Sequence, residues 1–93
     1  MAEQASAKVT IVNRLGLHAR PAMCFVDAAV GFPCTVTVKR GEQAVDGKSI
    51  MMMMLLAATK GTELEIVCEG EQATQACDRL KALVLSGFDE GDM

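Results

Sequence analysis

His18 is the single histidine of this 93-residue chain, and it lies in the segment Leu15-Gly16-Leu17-His18-Ala19-Arg20-Pro21-Ala22, where a loop becomes a helix. The first turn of a helix presents N–H groups without intrahelical partners and about half a positive charge, so an anion attached to a side chain there is held without dedicated binding residues. The same field disfavours the imidazolium ion and leaves a ring nitrogen with a lone pair able to attack phosphorus. One location therefore favours both a nucleophile and its phosphorylated product. Arg20 adds a permanent cation whose planar fork pairs with phosphate oxygens, and Gly16 lets the backbone bend close to the site. An isolated histidine in a small domain is ordinarily a surface or packed residue. Here the helix start, the arginine two positions on, and the lack of a paired-carboxylate or nucleophile-and-base constellation argue instead for an anion site with a nucleophilic histidine. The residues alone carry the reading that far.

These residues must be positioned by the elements around them. Val9, Ile11 and Asn13 alternate with Lys8, Thr10 and Val12, which predicts a first strand. A helix over Ala19 to Val30 follows, starting at about His18, with Ala22, Val26, Ala29 and Val30 at helical spacing and Pro21 tolerated in the first turn. Gly31 and Pro33 end it. Cys34, Val36 and Val38 alternating with Thr35, Thr37 and Lys39 predict a second strand, and Gln43 to Asp46 returns after a turn at Gly41 as the other hairpin arm. A second helix of about three turns is expected from Ser49, whose hydroxyl can accept from a first-turn amide, to the stop at Lys60-Gly61. Leu64, Ile66 and Cys68 alternate with Glu63, Glu65 and Glu69 in a fourth strand with one acidic, solvated face. A third helix from Glu71 carries Ala73, Ala76, Cys77, Leu80, Leu83 and Val84 on one stripe and stops at Ser86-Gly87. This order predicts a two-layer α+β fold, a mostly antiparallel four-stranded sheet with three helices on one face. One domain is expected over residues 1–93, with short flexible tails at about 1–7 and 89–93.

Composition excludes several function classes. Apolar residues make up 51% of the chain, without Trp or Tyr and with three Phe, so the core must be aliphatic, Ala and Met. The net charge is −3 and Lys and Arg form no cluster, so no nucleic-acid partner is expected. The run Ile50 to Ala58 is too short to span a bilayer, and MAEQASAK lacks the basic-then-apolar order of a signal peptide. A cytoplasmic location without membrane insertion is the expectation. Cys24, Cys34, Cys68 and Cys77 form no C-x-x-C pair, which favours reduced, buried thiols over disulfides. No metal site or cofactor is expected.

The string GLHARPA, with Gly47-Lys48-Ser49-Ile50-Met51 about thirty residues later, resembles the HPr family of bacterial phosphotransferase systems over Val9 to Gly87. The resemblance implies an open-faced β-sandwich of four strands and three helices. It also implies that His18 is phosphorylated on Nδ1 by Enzyme I, itself charged from phosphoenolpyruvate, and that the group passes to an Enzyme IIA protein. Arg20 is then expected to stabilise the phosphoryl group. Ser49 corresponds to a residue that a dedicated HPr kinase/phosphorylase modifies in many members, although a Ser before an apolar helix is also an ordinary N-cap. Successive helical residues step about 100° round the axis, so one or two of Met51 to Met54 must point outward whatever their role. The resemblance implies a partner-binding surface of Ile50, Met51 and Met54, with Lys48 alongside.

Asp27, Val30 and Met52 depart from the family pattern, leaving fewer cations round the site than the sugar-system members carry. This departure, with the ending Ser86-Gly87-Phe88-Asp89-Glu90, resembles a nitrogen-type or regulatory branch. The leading expectation is a stoichiometric phosphoryl carrier, not an enzyme. The alternative is a signalling adaptor governed through Ser49. A nucleic-acid-binding split β-α-β module would need exposed aromatics and basic strands where Glu63, Glu65 and Glu69 stand.

Overall fold

Alternation in the chain becomes a sheet with one wet and one dry face. The structure, a computed structural model, describes residues 3–88, and the tail expected at 89–93 lies outside them. The elements are β1 (Gln4–Thr10), α1 (Ala19–Val30), β2 (Thr35–Arg40), β3 (Gln43–Asp46), α2 (Ile50–Leu55), β4 (Glu63–Glu69) and α3 (Ala73–Leu85). The four strands form one sheet in the order β1-β4-β2-β3, and every neighbouring pair is antiparallel. Val9, Val36, Val38, Val45, Leu64, Ile66 and Cys68 point to the same side and are buried there with Phe25, Met53, Leu80 and Leu83 of the helices. This is the α+β open-faced sandwich that the alternation predicts. On the open face Glu65 stands opposite both Lys8 and Lys39, so the acidic strand is flanked by cations.

The first strand ends at Thr10 rather than running on through Val12 and Asn13, and three further boundaries differ from expectation, each for a non-local reason. The expected tail at 1–7 has residues 4–7 inside β1: Gln4 pairs with Glu69, and the Gly70 N–H donates to the Glu3 carbonyl at 2.7 Å. Gln4 to Ala7 carries little apolar signal because backbone pairing to β4 holds it. The second helix is six residues long and ends at Leu55 rather than at Lys60. Ala57 takes φ 49°, and the Arg40 guanidinium donates to the carbonyls of Leu56 at 2.6 Å and Ala57 at 3.2 Å. A cation from β2 thus caps the helix where the chain turns left-handed. The third helix starts at Ala73 rather than Glu71, with Gln72 at φ 67° and the Glu3 carboxylate accepting from the Thr74 N–H at 2.8 Å. Its N-terminal acceptor comes from the other end of the chain.

Candidate functional site

His18 is the N-cap of α1, extended at φ −86°, and its carbonyl accepts from the Ala22 N–H at 3.0 Å. Pro21 has no N–H, so by helix geometry the first-turn donors left for an anion are the amides of Ala19 and Arg20. No acidic residue occupies that turn. The imidazole is half-buried, with Nε2 shielded from solvent, and the Arg20 side chain is exposed.

The loop in front of His18 is tied down at three points. The Gly16 N–H donates to the Asn13 carbonyl at 3.1 Å, and the Asn13 side-chain amide returns a bond to the Gly16 carbonyl at 2.6 Å. The Leu17 N–H donates to the Ala58 carbonyl at 2.8 Å. Gly16 sits at φ +69°, and a Cβ there would meet the Ala58 carbonyl oxygen at 2.5 Å. Only glycine combines that conformation with that approach. Asn13 is a positioning group that sequence reasoning missed, although a signal was present: a polar residue falls in phase with Val9 and Ile11 and is buried with them. Arg40, which clamps the end of α2, was missed as well, and a lone Arg beside a turn carries no such signal.

The Leu17–Ala58 bond places the C-terminal end of α2 beside the His18 loop, and α1 packs against α2. Ile50, Met51 and Met54 are exposed on α2, together with Met52 and Leu55, while Met53 is buried. Three of the four consecutive methionines therefore face solvent. Leu15, in the loop itself, is also exposed. Ser49 is the N-cap of α2, its hydroxyl accepting from the Met52 N–H at 3.3 Å. Lys48 is placed elsewhere: its ammonium donates to the Phe32 carbonyl at 2.7 Å, beyond the far end of α1. Twelve helical residues separate that end from His18, roughly 18 Å along the axis. The structure brings Met54 and Leu55 toward the His18 loop and leaves Lys48 and Ser49 at the distant end of α2.

All four cysteines are free thiols, with Cys34, Cys68 and Cys77 buried and Cys24 half-buried. Burial pushes the Cys68 thiol up to about 12, helped by its neighbours Cys77 and Cys34. Among the described residues no group of three or more His, Cys, Asp or Glu side chains is arranged to hold a metal ion, and no helix is long and apolar enough to cross a membrane.

An open-faced sandwich that presents one histidine at a helix start, beside an exposed apolar helix, defines a class of small phosphotransfer proteins. The family model for the PTS HPr component phosphorylation site matches residues 5–86. The chain is 52% identical over 86 residues to the phosphocarrier protein HPr of Pseudomonas aeruginosa, covering 91% of this chain and 96% of that one. It is 39% identical to the phosphocarrier protein NPr of Proteus mirabilis, covering 89% and 93%. An HPr crystal structure from Thermoanaerobacter tengcongensis superposes with a TM-score of 0.89 at 35% identity, covering 92% of this chain and 97% of that one. The chain belongs to the HPr family of phosphocarrier proteins of the phosphotransferase system.

Proposed function

We propose that the chain, acting as one domain, accepts a phosphoryl group on Nδ1 of His18 from phosphoenolpyruvate-charged Enzyme I in the cytoplasm and passes it to an Enzyme IIA protein. The observation that carries this reading is the placement of the half-buried His18 as the N-cap of α1, where the unpaired first-turn amides and the positive end of the helix favour a phosphoryl group on its ring. In the transfer the Nδ1 lone pair forms the N–P bond while the bond from phosphorus to the donor breaks. The negative charge on the phosphoryl oxygens then lies at the positive end of α1, within reach of the amides of Ala19 and Arg20. The exposed Arg20 guanidinium balances charge on the same oxygens during transfer and does not bind the carrier permanently to either partner. Ile50, Met51 and Met54 supply the docking surface, and a carrier needs that surface small because it must leave each partner quickly.

Incubation with Enzyme I, phosphoenolpyruvate and magnesium tests this. An acid-labile label that His18→Ala abolishes, and that Arg20→Ala slows by about tenfold or more, is the expected result; label persisting in His18→Ala would end the proposal. A second reading, regulation through Ser49 by a Ser-specific kinase, draws support from its position at the start of the apolar docking helix. A phosphate there is compatible with the helix end, so its effect would fall on recognition. Acid-stable, ATP-dependent label lost in Ser49→Ala is what that reading requires. The NPr relative keeps a nitrogen-type branch as the alternative destination, and phosphoryl exchange with sugar-type and nitrogen-type Enzyme IIA proteins side by side separates the two.

A further inference from the structure

Among the described residues the most exposed sulfur is thioether rather than thiol, and three of the four exposed methionines lie on the docking helix. Met51 is 80% exposed, Met54 45% and Met52 36%, whereas Met53 between them is 1% exposed. Cys34, Cys68 and Cys77 are buried, and Cys24 is only half-exposed. A thiol reacts with oxidants as thiolate, and three of the four thiols are buried, with burial also holding Cys68 in the protonated form. Thioethers need no ionisation and react wherever they meet the oxidant.

We infer that Met51, Met52 and Met54 form an oxidation site through which peroxide switches off partner docking, by turning the apolar face of α2 polar. In the reaction a sulfur lone pair attacks one oxygen of hydrogen peroxide; an S–O bond forms, the O–O bond breaks, and the departing hydroxide takes up the proton to leave as water. The thioether is oxidised to sulfoxide and the peroxide reduced by two electrons. A sulfoxide is a polar, strong hydrogen-bond acceptor on a surface that otherwise offers hydrocarbon and soft sulfur to its partner. Because Met53 alone enters the core, the modification leaves the fold in place and acts on recognition. The consequence for transfer rests on the carrier reading above; the site of oxidation does not.

Limited treatment of the full chain with hydrogen peroxide, followed by peptide mass mapping, should show a 16 Da gain first at Met51, then at Met52 and Met54, with Met53 spared (one added oxygen per sulfoxide). The rate of labelling by Enzyme I should fall by about tenfold, as expected for loss of a central contact, with the melting temperature preserved, and methionine sulfoxide reductase should restore it. A variant combining Met51→Leu, Met52→Leu and Met54→Leu, compared with its own untreated rate, should keep that rate after peroxide even though the exposed Met23 remains oxidisable. Oxidation of Met53 as fast as Met51, an undiminished labelling rate, equal inactivation of the leucine variant, or a loss of folding that accounts for the slowing would each overturn the inference. If the untreated chain takes no label at all, the carrier reading and its coupling to oxidation fall together, and the mass map still decides whether the site exists.

Discussion

Gly16 shows how much of the site rests on a residue without a side chain. Its φ of +69° is one that residues bearing a Cβ adopt only under strain, and the added carbon would press on the Ala58 carbonyl oxygen. Gly16→Ala should therefore destabilise the fold by about 2 kcal/mol or more, measured as a lower midpoint in denaturant. Ala58 also receives the Leu17 N–H, so the same substitution disturbs the segment that delivers His18 to the start of α1. Transfer should drop by more than the loss of folded protein explains. The motif that made Gly16 visible gives no hint of Ala58, a residue 42 positions away, as the wall it packs against.

At the scale of the element, α2 is a helix that could not stand alone. Six residues are too few for a stable isolated helix, and this one is held by Ser49 at its start, Arg40 at its end and Met53 in the core. Ser49→Ala removes the cap and should lower stability by about 1 kcal/mol. Ser49→Asp keeps an acceptor and adds a charge favoured at that end, so it should recover most of the loss in the same denaturation experiment. The element itself was readable from the sequence: an N-cap before an apolar run. Its length was not, because Arg40 and the left-handed Ala57 stop it before any glycine or proline does.

At the scale of the whole molecule, the sheet and α3 enclose cysteines whose thiols must stay neutral. The Cys68 thiol rises from 9.0 to about 12 on folding, chiefly because burial penalises its ionised form, and Cys77 shifts in the same direction for the same leading reason. A raised pKa contributes stability that is complete below the unfolded value and is lost as pH climbs through the folded one. Stability should hold up to about pH 9 and then decline toward about pH 12, and Cys68→Ala should flatten that decline when melting is followed against pH. The Glu3 carboxyl is lowered by its bonds to Thr74, the opposite sign, so that tie weakens only in acid.

Alternation with period two, helical spacing and the helix-opening histidine were properties of the chain read alone, because each is local and each shows in side-chain chemistry. They determined the element order, the inward faces of the strands, and the place of His18 at the start of α1. Strand order, the pairing of Gln4 to Ala7, the true ends of α2 and α3, and the remoteness of Lys48 were decided only in three dimensions. In every such case the deciding partner is a backbone group or a charge supplied from elsewhere in the chain: Gly70 for Glu3, Arg40 for Leu56, Glu3 for Thr74 and Phe32 for Lys48. A backbone carbonyl looks the same at every position of a sequence, and only the fold shows which donor reaches it.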